Sequence, residues 1–240
     1  MKKTLLLILL WSVTYTQAQF WKKKLSGNGQ VTTETRKVNS YDKITVTGAF
    51  KVKIVQGEPG IIKVTADENL LEYIETYTKG SKLVIRVNPE FTIRHYSKLA
   101  VEVPADYLSR ITLTGSGTVF NQNAFGWNNL KLVLTGSGNM DILSHVKHLE
   151  ATLTGSGNID LSGKADTAEY VLTGSGDINA KKLDAQDVKA TLTGSGDIYL
   201  HAIERLNARV MGSGDIIYYG EPENLKSKTF GSGDVIFRRL

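Results

Sequence analysis

Seven serines in this chain are each flanked by glycine on both sides, which invites comparison with the nucleophile of a hydrolase. The string Gly-Ser-Gly occurs seven times among the 240 residues. The nucleophile elbow of the α/β-hydrolases is Gly-x-Ser-x-Gly, in which the glycines stand two residues from the serine, so the match fails. The sequence also contains no P-loop and no Gly-x-Gly-x-x-Gly fingerprint. Seven copies of one string indicate a repeated structural element rather than a single nucleophile.

Two histidines and two aspartates are the other groups that could take part in catalysis. His145 and His148 stand three residues apart, a spacing that could hold a metal ion but that is more often a feature of a surface turn. Asp141 and Asp160 occupy equivalent positions in neighbouring repeats, where carboxylates could serve a polysaccharide lyase or hydrolase. Repetition explains the placement of both aspartates more simply. We therefore expect no catalytic residues, and a polysaccharide lyase or hydrolase is the alternative.

A column of aspartates is the strongest candidate for an ion site. Asp177, Asp197, Asp215 and Asp234 each directly follow a Gly-Ser-Gly string. If the repeats stack, two unit charges about 5 Å apart repel by roughly 1 kcal/mol even in the dielectric of water. Hydrogen bonds from the backbone of the same turn would offset this repulsion, and a calcium ion is the alternative. Because the repeat is not the nine-residue calcium-binding type, these aspartates are weak calcium candidates, and we expect no cofactor.

The spacing of the repeated string predicts the architecture. Successive strings begin 18 to 21 residues apart, and periods near twenty are typical of solenoids. A tight turn repeated in every coil brings backbones close together, which favours glycine. The predicted structural turn residues are Gly115, Gly117, Gly136, Gly138, Gly155, Gly157, Gly174, Gly176, Gly194, Gly196, Gly212, Gly214, Gly231 and Gly233.

Apolar residues alternate with polar ones on both sides of each string. In the third repeat, Leu149, Ala151 and Leu153 precede the string at every second position, and Ile159 follows it. A period of two indicates strands with one inward face. We predict an all-β fold, a parallel β-solenoid (β-helix-like) with coils of about 19 residues and Gly-Ser-Gly turns. The variable stretches form second turns, at residues 144–147, 163–167, 181–186, 201–205 and 220–224.

Two other architectures fit the sequence less well than the solenoid. A β-propeller needs about forty residues and four strands in each blade, twice the period seen here. An antiparallel meander would not require the same residue at the same turn in each repeat, whereas stacking does. The stacked parallel arrangement accounts for both the period and the identity of the turn residues.

The N-terminus has the pattern of an export signal. Lys2 and Lys3 precede an apolar run at residues 5–13, which is too short for a bilayer that needs about twenty residues. We predict a signal peptide at residues 1–18, an N-terminal tail and first strand at 19–40, and a single β-solenoid domain at 41–240. Within that domain, residues 67–72 are predicted to form one helical turn with Asp67 as its cap.

Composition excludes several classes of protein. The chain has no cysteine, which removes disulfides, zinc knuckles and thiol nucleophiles. Its formal net charge is +5, but basic residues are interleaved with acidic ones, so no nucleic-acid surface is expected. No segment after the leader is long and apolar enough to predict a transmembrane span.

An ordered series of motifs resembles a known family. The series consists of Val-Thr-Gly-Ala-Phe-Lys-Val at 46–52, Ala-Asp-Glu-Asn-Leu-Leu at 66–71, Gly-Ser-Lys-Leu-Val-Ile at 80–85, and the serial Thr-Gly-Ser-Gly-Asn/Asp turns. Together they resemble the head GIN domain family of auto-transporter adhesins over roughly residues 41–240. The family consists of small exported proteins that are abundant in Bacteroidetes. The resemblance implies a β-solenoid and a location in the cell envelope, and it supplies no catalytic residues.

The function expected from the sequence is therefore interaction rather than catalysis. We predict a non-catalytic exported protein located in the periplasm, at the outer-membrane surface or outside the cell, which acts as an adhesin or cell-surface interaction protein. A carbohydrate-binding or polysaccharide-active β-helix protein is the alternative. The expected partners are a surface glycan or a protein. A homo-oligomer could form through the last coil, unless Arg238 and Arg239 protect that edge from pairing.

Overall fold

The computed structural model describes residues 22–239, so the predicted signal peptide lies outside the described residues. The regular secondary structure of these residues consists of nineteen strands and one short 3-10 helix, Glu68–Tyr73. The strands are β1 Lys23–Ser26, β2 Val31–Lys37, β3 Lys43–Thr47, β4 Lys51–Val55, β5 Ile61–Asp67, β6 Ile74–Lys79, β7 Lys82–Val87, β8 Phe91–His95, β9 Leu99–Pro104, β10 Arg110–Gly115, β11 Thr118–Asn121, β12 Phe125–Gly136, β13 Asn139–Gly155, β14 Asn158–Gly174, β15 Asp177–Gly194, β16 Ile198–Gly212, β17 Ile216–Tyr219, β18 Asn224–Gly231 and β19 Val235–Phe237.

The strands stack in parallel and in register, which confirms the predicted β-solenoid. On the side that precedes each turn, the ladder runs from β7 through β3, β10, β12, β13, β14, β15 and β16 to β18. On the side that follows each turn, it runs from β9 through β4, β11 and β13–β16 to β17 and β19. Most side chains therefore lie next to their counterparts in the neighbouring coils.

The two glycines of each turn are required for two different reasons. The first glycine has a positive φ, for example 126° at Gly155, a region that other residues rarely adopt. The second glycine has no such φ, but a Cβ at Gly138 would lie 2.6 Å from the carbonyl oxygen of Gly117 in the preceding coil. The intervening serine is exposed, and its backbone N–H donates to the preceding coil, as Ser156 does to Gly136 at 2.9 Å. Backbone groups, rather than the serine hydroxyls, therefore link the turns.

An additional turn precedes the seven Gly-Ser-Gly strings. Gly48-Ala49-Phe50 connects β3 to β4, and the N–H of Gly117 donates to the carbonyl of Gly48 at 3.0 Å, whereas in the later turns the serine N–H donates to the equivalent carbonyl. Phe50 stands where the later turns have their second glycine. It is tolerated because β7 and β9, which flank β3 and β4 on the other side, are not joined by a tight turn of this kind. The first complete coil is thus built by residues that do not carry the repeated string.

The predicted inward columns form the core. Leu153, Ala151, Leu149 and Ile159 are at most 1% exposed, and the equivalent residues of neighbouring coils are buried with them. Tyr170 is fully buried in one of these columns, where its neighbours in register are Ala151 and Ala190. Two small neighbours leave room for the ring. Burial raises the pKa of the Tyr170 hydroxyl, which has no hydrogen-bond partner in the described residues.

The structure differs from the prediction at four of the five variable stretches. Strands β13, β14, β15 and β16 continue through the predicted second turns at 144–147, 163–167, 181–186 and 201–205, and only 220–223 interrupts a strand. The chain bends at these residues and keeps its hydrogen bonds to the neighbouring strands. It can do so because the neighbouring coils bend at the same place. Extra residues are absorbed as register shifts, such as the one between Ala180 and Asp184.

An antiparallel cap closes the N-terminal end of the stack. Strand β2 pairs with β5, β5 pairs with β9, and β6 pairs with β7, all antiparallel, while β1 pairs in parallel with β8. Asp67 is fully buried at the centre of this cap and accepts hydrogen bonds from the N–H of Gly29 at 2.8 Å and the N–H of Ser97 at 2.7 Å. The prediction that Asp67 caps the helical turn is wrong, because its side chain makes no bond to the 3-10 helix. Its hydrogen bonds instead join the segment between β1 and β2, which contains Gly29, to the segment between β8 and β9, which contains Ser97.

The opposite end of the stack is open in the described residues. All eight residues of β18 are exposed, and the strand pairs only with β16. Leu225 continues an inward column but is 45% exposed, since no described strand lies over it. The two inward positions that follow it hold Ser227 and Thr229, so the apolar core gives way to polar residues in this coil.

The first prediction concerns the turn glycines. We expect Gly155→Val to destabilise the protein by about 4 kcal/mol or more, because the new side chain would require a disfavoured φ and would collide with the Gly136 carbonyl. Asp166→Ala, at an exposed position, should change the free energy of unfolding by less than about 0.5 kcal/mol. Denaturant melts of both variants provide the measurement. Equal effects would contradict the stacked turns.

The second prediction concerns the pH dependence of the cap. Hydrogen bonds from the N–H of Ser97, its hydroxyl and the N–H of Gly29 outweigh burial and lower the pKa of Asp67 below its ordinary value of 3.8. Since the folded pKa is the lower one, Asp67 stabilises the protein above pH 3.8, and this contribution is lost as the pH falls through the folded value.

Thermal melts from neutral to acidic pH test this prediction. Wild type should lose more stability on acidification than Asp67→Asn, whose side chain has no proton to gain. Asp166→Asn, at an exposed position, serves as the control and should follow the wild-type profile. If the Asp67→Asn profile is also that of wild type, the assigned role of Asp67 is incorrect.

Candidate binding groove

The predicted aspartate column forms a hydrogen-bonded ladder between coils. The backbone N–H of Asp197 donates to Oδ1 of Asp177 at 2.9 Å, that of Asp215 to Oδ1 of Asp197 at 2.8 Å, and that of Asp234 to Oδ1 of Asp215 at 2.8 Å. We expected each aspartate to bond to its own turn, and the structure places the donor in the next coil instead. A charge-assisted bond at each step offsets the repulsion between neighbouring carboxylates.

The ladder changes its pattern along the stack. In the earlier coils the equivalent positions are Asn139 and Asn158, and the backbone N–H of Asn158 donates to the carbonyl of Gly138 at 3.0 Å. From Asp197 onward, the backbone N–H donates instead to the aspartate carboxylate of the preceding coil. Within residues 22–239, no group of three or more histidine, aspartate or glutamate side chains is arranged to hold a metal ion. The carboxylates of Asp177, Asp197 and Asp215 each accept a backbone hydrogen bond from the next coil.

The other predicted candidates do not converge on one site. Asp141 and Asp160 are adjacent in register, but Asp160 accepts a hydrogen bond from the side-chain amide of Asn179 at 3.0 Å. His145 and His148 point to opposite sides of a bend and line two different cavities. His148 is bonded through Nδ1 to the Thr167 hydroxyl at 2.8 Å. The seven serines are exposed at the turns, one in each coil.

A groove with a volume of about 710 Å³ crosses the last five coils. Two outward columns form its walls, and the inward column between them forms its floor. One wall consists of His148, Thr167, Asp187, Arg205 and Asn224, and the other of Glu150, Glu169, Lys189, Asn207 and Lys226. The floor consists of Leu149, Ala168, Val188 and Leu206. A groove of this size is within the usual range of ligand sites.

Ion pairs between coils hold the walls of the groove. Nζ of Lys189 lies 2.6 Å from Oε1 of Glu169, and the guanidinium of Arg205 is paired with the carboxylate of Asp187. The hydrogen bond to Asp187 raises the pKa of Arg205, so the guanidinium of Arg205 stays charged at all ordinary pH values. Glu150 is paired with Lys131 outside the groove. Lys226 lies beside Asn207 in register and has no such pair in the described residues.

The ionisable side chains of the groove walls are mostly engaged in pairs or hydrogen bonds. Both glutamates of the wall are paired with lysines, and His148 is bonded to a threonine rather than to a carboxylate. Rows of charged and amide side chains instead offer donors and acceptors at one coil spacing, about 4.8 Å. Sequence reasoning missed this groove. The signal that could have indicated it was the pair of outward columns five and seven residues before each Gly-Ser-Gly string.

The chain matches a family over most of its length. Residues 40–222 match the family described as "Putative auto-transporter adhesin, head GIN domain". The chain belongs to this family. The resemblance noted in the motifs is thereby confirmed, and the match extends from the first complete coil nearly to the last one.

Solved structures similar to this head GIN domain include three from Bacteroides and Parabacteroides species. A "putative adhesin" from Bacteroides fragilis has a TM-score of 0.84 at 26% identity, over 89% of this chain and 100% of that one. A "putative lipid binding protein" from Parabacteroides distasonis has a TM-score of 0.76 at 27% identity, over 90% and 100%. A "putative adhesin" from Parabacteroides merdae, with a TM-score of 0.72 at 24% identity over 90% and 99%, supports the fold alone.

Two further findings complete the comparison of this head GIN domain with other proteins. No protein of curated function matches the chain. Within residues 22–239, no helix has the length and apolarity needed to span a membrane. Family membership is consistent with an adhesin-like role at the cell surface, and the groove is the feature of the domain through which such a role could act.

The third prediction concerns the aspartate ladder. Asp197→Ala removes the acceptor of the Asp215 N–H and should lower the free energy of unfolding by about 1–2 kcal/mol, because a backbone donor loses its charged partner. Asp197→Asn keeps an oxygen at that position and should cost less. The change should be measured in denaturant melts, with Asp141→Ala, at an exposed aspartate outside the ladder, as the control.

The same melts should be repeated with EGTA to test the calcium alternative. We expect the midpoint of wild type to be unchanged, because the backbone already satisfies one oxygen of Asp177, Asp197 and Asp215. A fall in the midpoint that added calcium restores, and that Asp197→Ala abolishes, would show that the column binds calcium.

Proposed function

We propose that this protein is an exported, non-catalytic, adhesin-like module that binds a surface glycan or an extended protein segment along the groove. The observation that carries the proposal is the continuity of the groove walls, which present one polar or charged side chain per wall in each of five successive coils. A partner with its own repeat along its length could contact several coils at once. Weak contacts repeated along one partner would then add through avidity.

Several independent features support this proposal. The first 18 residues have the pattern of a secretory signal, and the matched family is described as "Putative auto-transporter adhesin, head GIN domain". The three carboxylates of the groove walls are held in ion pairs, which favours a binding role for them over an acid–base role. The domain is a rigid stack, and outward side chains on strands are held more precisely than side chains on loops.

The fourth prediction tests the groove by reversing one charge on its wall. We expect Lys189→Glu to weaken binding to target cells or glycans by about tenfold or more, because it places a negative charge beside Glu169 and breaks their pair. Lys164→Glu is the matched control, since Lys164 is exposed on the other side of the bend. Binding of the labelled protein to a glycan array and to bacterial and host cells gives the measurement.

Two outcomes would contradict the proposal in different ways. Equal binding by Lys189→Glu, Lys164→Glu and wild type would place the binding surface elsewhere. Turnover of any polysaccharide by wild type in a lyase and hydrolase screen would favour the polysaccharide-active alternative and would remove the non-catalytic assignment.

A further inference from the structure

A cluster of positive charges lies where the groove crosses the last two coils. Its members are Arg209 on β16 and Lys226 and Lys228 on β18, and all three are exposed. Arg209 and Lys228 are neighbours in register, and Lys226 stands two residues before Lys228, so the three side chains leave the same face of the sheet. Within residues 22–239, none of them forms an ion pair. We call this set the basic cluster.

The basic cluster departs from the charge pattern of the earlier coils. In those coils, charged residues of this face are joined in pairs of opposite sign: Lys131 with Glu150, Glu169 with Lys189, and Asp187 with Arg205. The last step instead sets Lys228 beside Arg209, which has the same sign, and Lys226 beside the neutral Asn207. Like charges at neighbouring positions repel each other, so packing of the stack does not explain the cluster.

Part of this charge stands in a column that is neutral in the earlier coils. The column holds, in order, Thr45, Thr112, Val133, Thr152, Val171 and Thr191. Arg209 and Lys228 continue it in the last two coils. Unpaired positive charge on this face is therefore concentrated at one end of the solenoid.

A second cavity, with a volume of about 650 Å³, lies at the basic cluster. Asn207 and Lys226 line one side of it and also belong to a wall of the groove, while Arg209 and Lys228 line the other side. The cavity therefore adjoins the groove and shares two residues with it. A ligand that lies along the groove would meet all three cations at the last two coils.

An exposed aromatic ring stands beside the basic cluster. Phe230 follows Lys228 by two residues on the same face of β18 and is 57% exposed. The guanidinium of Arg209 lies over this ring, 5.3 Å from its centroid, which is a cation–π contact. The rest of the ring offers an apolar surface against which the C–H face of a sugar can pack. Cations next to such a surface are suited to a sugar that carries a negative charge.

Protection of the sheet edge does not account for the basic cluster. Lysines on an edge strand discourage pairing with another chain, and β18 is such an edge in the described residues. Arg209, however, belongs to β16, which is paired on both sides. The exposed ring of Phe230 on the same edge strand would favour the association that lysines discourage.

We propose that the basic cluster makes the groove selective for an acidic polysaccharide. Sugars that carry carboxylate groups bind at the last two coils, where the two lysines and Arg209 neutralise their charge and Phe230 packs against a sugar ring. The remainder of the polysaccharide lies along the groove. This inference rests on the proposed binding of a glycan in the groove and names the class of glycan that is bound.

The fifth prediction tests the basic cluster by titration calorimetry with polygalacturonate and neutral dextran. Wild type should bind polygalacturonate more tightly than dextran, and added salt should weaken that binding. The double variant Lys226→Gln/Lys228→Gln should bind polygalacturonate about tenfold more weakly, because two opposite-charge contacts are lost. The matched control Lys181→Gln/Lys182→Gln removes the same charge at two exposed positions outside the groove and should bind as wild type.

A third polymer distinguishes a glycan from an acidic protein segment. Poly-L-glutamate carries carboxylates but no sugar rings, so wild type should bind it more weakly than polygalacturonate. Phe230→Ala keeps all three cations and should weaken binding of polygalacturonate severalfold, because the sugar loses its apolar surface. It should leave binding of poly-L-glutamate unchanged. Equal affinity of wild type for the two acidic polymers would overturn the assignment to a glycan.

The outcomes separate this inference from the proposed function. Tighter binding of dextran than of polygalacturonate by wild type would overturn the acidic class, as would full affinity of the double lysine variant for polygalacturonate. Either result leaves the proposed function in place if Lys189→Glu still loses binding to cells or glycans. Lys228→Gln alone provides a second test should the double variant fail to fold.

Discussion

The close approach of one turn to the next is the constraint on which the rest of this structure depends. Each first glycine lies so near the carbonyl of its counterpart in the preceding coil that a single Cβ does not fit. The backbone is therefore in direct contact across the turns, and from Ser137 onward the N–H of each turn serine donates to the coil before it. Because this contact fixes the spacing of the coils at one corner, the strands on both sides remain in register over many coils, and no side chain has to set the repeat.

Because the coils are in register, equivalent residues form columns along the stack. The residue types in a column determine what that face of the solenoid can bind. The inward columns pack as a continuous apolar core, and a large residue such as Tyr170 fits where its neighbours in the column are alanines. The outward columns form a ladder of aspartates and a groove whose walls are joined by ion pairs. Opposite charges in adjacent coils stabilise the groove walls, and backbone N–H groups hold the aspartates. Family membership fits this reading, because a rigid stack with distinct faces is suited to interaction with surfaces.

Much of the fold could be predicted from the sequence because it depends on repetition. The turn glycines, the inward columns and the parallel stack all follow from contacts between equivalent residues. Contacts that the repeat does not contain could not be found in this way. The turn at Gly48-Ala49-Phe50 lacks the repeated string, and the partners of Asp67 lie at Gly29 and Ser97, far from it in sequence. The groove was missed because it depends on a bend that the strands pass through without a break in pairing, where the sequence suggested separate turns.

Amide hydrogen exchange at the turn serines tests the central claim most directly. The side chain of Ser156 is exposed, and an ordinary surface turn would leave its N–H open to water. Here that N–H donates to the Gly136 carbonyl at 2.9 Å, and the same bond recurs at Ser137, Ser175 and Ser195. The account predicts that these amides exchange as slowly as those of the core strands. Exchange at the rate of an open loop, while the strand amides stay protected, would contradict it.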